Sequence, residues 1–409
     1  MSTASAVAKA TVNPAASVVR VASIDIFRGL TVLVMIFVND LSSVHGLPWW
    51  TYHAHADQDA MTYVDMVFPF FLFIVGMSMP LAMTQRLKRN SSMASLWLHV
   101  LSRSAGLVVL GLILANAEKG DPARMGLNPN VWALLGLAGG VLFWFSPSRE
   151  QRSSGIFRWL RFAGLVLLLL TFALFRRSTG SGHGGWIDGS YPEILGLIGY
   201  TYLAVAILYL PSRRWLWAPL AWMVALTAAC AVLTALHVRL HVPLYLWPFN
   251  SGAMASITMA GVVTSTIFFG AHRWQSLTQR MRLAFGFAAA MLISAWLLTP
   301  LGISKIRATP TWCLYSSGAA VLSFALLYWV CDVKQKRTWA QFVRPAGENT
   351  LLTYLLPDFY YFLTTLVGFT FIDKHFSTGA LGVARAVVFT LVMLAFSALL
   401  TRARIRLQL

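Results

Sequence analysis

Between Ser23 and Gly76 the chain gathers polar groups of the kinds that do chemistry, set in and between two long apolar runs. The first run, SIDIFRGLTVLVMIFVND, carries Asp25, Arg28, Asn39 and Asp40. The second, TYVDMVFPFFLFIVG, carries Asp65, and His45, His53 and His55 lie between them. Charged groups in segments of hydrocarbon length are costly and are retained mainly for function.

His53, His55 and Asp57 form the pattern H-x-H-x-D. An imidazole, with an ordinary pKa of about 6.5, suits general-base work near neutral pH, and Asp57, Asp59 or Asp65 could orient it. The same pattern could hold a metal, but a spacing of two puts these side chains on one side of a strand. No fourth ligand is evident, so no metal is expected. Asn39 offers an amide donor that could face a developing oxyanion; as a residue at the end of a span, it and Asp40 read equally as caps. Asp25 and Arg28 are three apart on one helical face and can neutralise each other, or Arg28 can present its planar fork to a phosphate. Lys305 and Arg307, in ISKIRATPTW, form a close basic pair. Asn349 opens the run NTLLTYLLPDF, and Asp358 sits deeper in it beside Pro357.

The elements that must position these groups are helices in a membrane. The 409 residues are 57% hydrophobic and 11% charged, far from the roughly 25% charged residues of a soluble domain. The apolar runs are continuous and of helix-spanning length rather than the alternating ten-residue segments of a β-barrel. The fold class expected is an all-α polytopic membrane protein of about 12 (11–12) transmembrane helices. The spans fall near 27–44, 62–84, 97–116, 131–147, 158–175, 191–210, 215–236, 253–271, 282–299, 311–331, 348–368 and 379–401. Residues 1–20 read as a flexible cytoplasmic tail without the apolar core of a signal peptide, and 21–409 as a single transmembrane domain.

A formal net charge of +18 would suggest nucleic acid in a soluble protein. In a membrane chain it reads as Lys and Arg gathered in cytoplasmic loops, and no nucleic-acid partner is expected. With both termini cytoplasmic, RLKR (86–89), the Arg149/Arg152/Arg158 group, Arg213–Arg214, Arg273/Arg280/Arg282, Lys334/Lys336/Arg337 and RARIR (402–406) all face inward. The 40–61 connection, which has no Lys or Arg, faces outward with the longer, Gly- and Pro-rich loops 117–130, 176–193, 237–250 and 302–310. Loops of that kind suit a site better than a bare linker.

The cysteines Cys230, Cys313 and Cys331 have no CxxC or Cys/His spacing and read as packing residues. No serine-hydrolase elbow, P-loop, dinucleotide fingerprint or HExxH occurs. No internal repeat is evident, which counts against, without removing, the alternative of a sugar transporter or permease of the inner membrane.

The run R20-x-x-S-I-D-x-F-R-G-L-T-x-x-x-M-x-F-V-N39, then His55-Ala56, then T-x-x-D65-x-V-F-P-F-F-x-F-x-x-G76 resembles the family of heparan-α-glucosaminide N-acetyltransferase and bacterial NagX-like proteins, which are transmembrane acyltransferases. The likeness continues in SKIRATPTWCLYSSG (304–318) and PAGENTLLTYLLPDF (345–359). It implies transfer of an acetyl group from cytoplasmic acetyl-CoA to the amine of an amino sugar, glucosamine or a glucosaminide, in a bacterial inner membrane. Carried over by motif, His55 is the catalytic residue, with His53 the second choice, and Asn39 assists. Arg28 is then the first contact for the CoA phosphates, with Lys305, Arg307 and Asn349 also on the acetyl-CoA side of the site. Asp65, Asp40, Asp25 and Asp358 support the site or meet the substrate. Membrane lipids are partners by composition, and a homo-oligomer is compatible with it. The chain departs from the family in the longer Asn39-to-His55 connection, in DQDAM after the His-Ala pair, in PEILGLIGY (192–200), and in having no large lumenal N-terminal domain.

Overall fold

The computed structural model describes residues 21–146, 155–179, 183–237, 251–270 and 276–407. The expected tail, Arg20, Arg149, Arg152, Arg273 and nearly all of the 237–250 loop lie outside them.

Each expected span coincides with a helix: α1 (Ala22–Leu41), α2 (Val64–Arg89), α3 (Met93–Asn116), α4 (Pro129–Trp144), α5 (Gly155–Leu174), α6 (Glu193–Ser212), α7 (Ala218–Ala235), α8 (Ala253–Phe269), α9 (Leu277–Leu297), α10 (Pro310–Tyr328), α11 (Thr350–Leu366) and α12 (Gly379–Arg402). Among the described residues, nine helices are long and apolar enough to cross a membrane, α10 counting with the π-helical turn that follows it, and α4 and α8 are shorter apolar helices. The chain is an all-α polytopic membrane protein. Its only sheet among the described residues is a two-residue antiparallel ribbon pairing Arg177 with Gly185 and Ser178 with Gly184.

Of the boundaries that differ from expectation, two have electrostatic reasons. α1 starts at Ala22 rather than near 27 because Asp25 and Arg28 pair within it, 3.2 Å apart, and an acid in the first turn favours the helix dipole. α2 runs on to Arg89 because Arg86, Lys88 and Arg89 occupy its last turn, where cations meet the carbonyl end.

α1, α2, α6, α8 and α10 form the interior, while α5, α7, α9 and α12 carry outward apolar faces that include Trp159, Trp222, Trp296 and Phe396. α8 is only 17 residues long, yet Ala253 to Ser265 are buried without interruption, as expected for a helix apolar on all sides. It meets α2 backbone to backbone. A Cβ on Gly76 would lie 1.8 Å from the Thr258 carbonyl oxygen, and one on Gly261 would lie 2.0 Å from that of Phe73. Small residues that let helices touch are a common way to join them in lipid.

The bundle has two distinct ends. At one, Trp312 Nε1–H of α10 donates to the Asp65 carbonyl of α2 at 3.0 Å, and His45 and Thr378 bridge the chain after α1 to the start of α12. Toward the other, the Ser23 N–H donates to Asp332 at 3.0 Å, and Asn349 binds the chain at Ile405 and Leu407. Residues 21 and 407, the ends of the described chain, therefore approach the same end of the bundle.

Candidate active site

The segment TYVDM begins α2 with its first-turn acid turned back onto the preceding chain. Asp65 Oδ2 accepts from the Thr62 N–H at 3.0 Å, from Thr62 Oγ1 at 3.3 Å and from the Ala54 N–H at 3.2 Å. This T-x-x-D arrangement satisfies two amide groups of the chain that leads into the helix. Thr62 Oγ1 also donates to the Tyr52 carbonyl at 2.8 Å, so the start of α2 fixes the preceding connection as well.

The other carboxylate oxygen turns to a histidine. Asp65 Oδ1 lies 2.6 Å from Nδ1 of His53. Asp65 is buried at 1% exposure while the His53 side chain is 45% exposed: a buried carboxylate holds an accessible imidazole. An Nδ1–H directed at the carboxylate leaves Nε2 with its lone pair, the tautomer a general base requires.

A third group completes the cluster. Lys305 Nζ is 3.2 Å from Nε2 and 3.3 Å from Nδ1 of the same ring. The ammonium is within hydrogen-bonding distance of both ring nitrogens, so a substrate amine that reaches Nε2 shares that nitrogen with Lys305. Lys305 sits in the 302–309 loop, where desolvation pulls its pKa below the ordinary lysine value against the opposing pull of the Asp65 charge. That loop is tied to the 52–61 connection by an ion pair between Arg307 and Asp59. The Arg307 hydrogen bond is the main reason that the Asp59 carboxyl is held below its usual value. With Arg307 and Asp59 both substantially exposed, the pair orders the loop more than it stabilises the fold.

The expected site residues separate into groups. His53, Asp65, Lys305 and Arg307 come together at one end of the bundle. His55 stands two residues beyond His53, exposed, its backbone N–H donating to Gln58 Oε1 at 3.3 Å. Asn39 is exposed in the last turn of α1. Asp40, beside it, is buried and accepts from Arg385 Nε at 3.2 Å and Tyr361 at 2.9 Å. Arg28 and Asn349 lie toward the opposite end. Arg28 donates to Asp25 at 3.2 Å, to the Gly347 carbonyl at 3.1 Å and to Ser78 at 2.8 Å. Asn349, 1% exposed, donates to the Ile405 carbonyl and Thr401 and accepts from the Leu407 N–H. Asp358 lies within the bundle near Glu193, whose carboxylate accepts from Tyr354 at 2.8 Å.

Arg385 and Glu193 were not singled out as site residues in the sequence. For Arg385 a signal exists: it is a single guanidinium in the apolar run GVARAVVFTLVML, and an intramembrane cation implies a partner. Among the described residues no group of three or more His, Cys, Asp or Glu is arranged to hold a metal ion.

Residues 20–234 match a family model described as "Domain of unknown function (DUF5009)". The chain is 39% identical over 97 residues to "Heparan-alpha-glucosaminide N-acetyltransferase" of Homo sapiens, and 38% identical over 97 residues to the protein of that name from Mus musculus. Each match takes in 24% of this chain and 14% of the relative, so the chain spans only a small part of the length of the curated relatives it matches. The family model covers just over half of the 409 residues, and the chain belongs to the DUF5009 family.

Proposed function

We propose that this protein is a transmembrane acetyltransferase that moves an acetyl group from acetyl-CoA to the amine of an amino sugar, with a histidine of the 52–61 connection as base. The observation that carries the reading is the His53–Asp65 pair, an accessible imidazole held at 2.6 Å by a buried carboxylate, in a chain related to N-acetyltransferases.

The geometry supports the following chemistry. The amine lone pair attacks the thioester carbonyl carbon, His53 Nε2 takes the amine proton, and the C–S bond breaks to release CoA, whose thiolate receives that proton. Lys305 places positive charge where the carbonyl oxygen becomes an oxyanion, and Asn39 is the second donor in this scheme. In this reading acetyl-CoA arrives from the cytoplasm, and the His53 end of the bundle, whose 40–61 connection has no Lys or Arg, faces the outer side of a bacterial inner membrane. Asn349 and Arg28 hold the far end of the bundle together; Arg28 also remains the contact proposed for the CoA phosphates.

A second reading assigns the base to His55, which stands ten residues before Asp65 and is followed by Ala56, as the resemblance requires. The His-Ala pair in fact occurs twice in succession, at 53–54 and 55–56. The first copy has the carboxylate, and Ala54 also donates to it, which favours His53.

One experiment tests both. Purified protein given acetyl-CoA and glucosamine should release free CoA. His53→Ala should lower the rate by about 10²-fold or more, while His55→Ala retains most of it. The reverse ranking transfers the role to His55. No turnover with any amino sugar, alongside sugar uptake in proteoliposomes, would replace the enzyme with a permease.

A further inference from the structure

At the end of α2 remote from His53, an open cavity of about 1080 Å³ is walled by the C-terminal turns of α2, α6 and α8 and by the starts of α7 and α9. Lys88, Arg89, Arg213, Arg214 and Arg280 line it, and none of its described lining residues is acidic. A smaller cavity of about 410 Å³ adjoins it across Lys88, Arg213 and Arg214. Loop charge that only orients helices has no reason to converge on one concavity from two helices and a connection. Among the described residues Lys88, Arg89, Arg213 and Arg214 have no carboxylate partner.

A separate observation points into the same cavity. Hydroxyls inside helices usually return to the carbonyl four residues back, and on α8 both neighbours do so, Thr264 to Ala260 at 2.8 Å and Thr266 to Val262 at 3.0 Å. Ser265 between them does not. It is 2% exposed, it lines the cavity, and its Oγ has no hydrogen-bond partner among the described residues. A buried hydroxyl left unmatched costs about 1–3 kcal/mol, and a ligand oxygen would satisfy it.

We propose that this cavity binds the phosphate group of an anionic ligand that also has an apolar part, with the cluster of cations and Ser265 on the phosphate and Trp215, Phe268 and Phe269 against the remainder. Guanidinium groups match phosphate geometry with paired donors, and basic pockets between membrane helices suit lipid headgroups. The site is distinct from the His53 cluster. Lys88 lies 23 residues along α2 from Asp65, about 35 Å at 1.5 Å per residue. The inference therefore stands whether or not the transferase reading holds.

The phosphate has two possible sources, an anionic phospholipid or a phosphorylated soluble molecule. The full chain, purified in a neutral detergent, is titrated calorimetrically with dihexanoyl phosphatidylglycerol and separately with adenosine 3′,5′-bisphosphate. Binding of the first identifies a lipid site, binding of the second a site for a soluble phosphate ester. In either case the affinity should fall about ten-fold or more in Arg213→Gln/Arg214→Gln, fall in Ser265→Ala, and weaken as salt is raised. Lys88→Gln and Ser265→Ala serve if the double variant does not fold. Binding of neither probe, or equal affinity in the wild type, Lys88→Gln and Ser265→Ala, overturns the proposal.

Discussion

Lys305 Nζ meets the ring of His53, 3.2 Å from Nε2 and 3.3 Å from Nδ1, although 252 residues separate the two in the chain. Asp65 supplies the opposing charge to both. The triad therefore joins the 52–61 connection, the first turn of α2 and the loop before α10 in one electrostatic unit.

Asp65 has a bracing role and an orienting role, and Asp65→Asn separates them. The neutral amide keeps the shape but loses the charge that fixes the Nδ1–H tautomer. In the proposed acetyl transfer, kcat should fall by about 10²–10⁴-fold with a much smaller change in KM. The double variant with His53→Ala should be no slower than His53→Ala alone, because the two residues act as a unit. More than half the wild-type rate in Asp65→Asn would remove Asp65 from the mechanism.

Lys305 should titrate below its ordinary value of 10.5, since desolvation outweighs the help it receives from Asp65. The native state then binds fewer protons than the unfolded chain between the native pKa and 10.5. The stability contribution of Lys305 is poorest below that window and improves as pH rises through it. Competitive amine labelling read by peptide mass should show Lys305 reacting at lower pH than exposed lysines such as Lys334. Asp65→Asn should move it lower still; an upward shift would contradict the assignment.

Arg385 and Asp40 form a pair whose side chains are 8% and 6% exposed, with Tyr361 on the other carboxylate oxygen. Removing one partner strands a buried charge at a cost of about 3–5 kcal/mol. Arg385→Met should lower the thermal midpoint in detergent sharply, and Arg385→Met with Asp40→Asn should recover part of the loss. A double variant no more stable than the single would mean that the charge pairing is not what matters.

At the α2–α8 contact, Gly76→Val should abolish folded protein, because its Cβ would sit 1.8 Å from a backbone oxygen that cannot retreat alone. Gly286→Ala is the control. Nothing lies within 4 Å of that position in α9, and the change should leave the midpoint unaltered or raised, as helix propensity predicts. Size-exclusion profiles of the two variants provide the comparison.

The helices were legible because lipid forces backbone groups to pair within the segment, so apolar run length marks each span. The run 131–147 and the run 348–368, which holds Glu348, Pro357 and Asp358, also fall on helices. What could not be read was which polar groups meet across helices. H-x-H-x-D with nearby carboxylates left the partner of each histidine open, because the 52–61 connection is irregular and periodicity says nothing about its path. Only the contact between Thr62 and Asp65 brings Ala54, and with it His53, onto the carboxylate. Lys305 and Arg307 read as a pair with one role, yet one faces an imidazole and the other Asp59. Arg28 and Asn349 read as ligand-facing groups, and each also makes contacts within the fold, with Gly347 and Ser78 and with Thr401 and Ile405, a use invisible without the tertiary path.

The bare contacts of Gly76 with Thr258 and of Gly261 with Phe73 have a mechanical meaning. Turning α2 by one residue would drive Val75 or Met77 into the Thr258 backbone, so α2 and α8 have no slack at mid-length and behave as one double-walled beam. The carboxylate that grips His53 is mounted at one tip of that beam, and Lys88, Arg89 and Ser265 at the other.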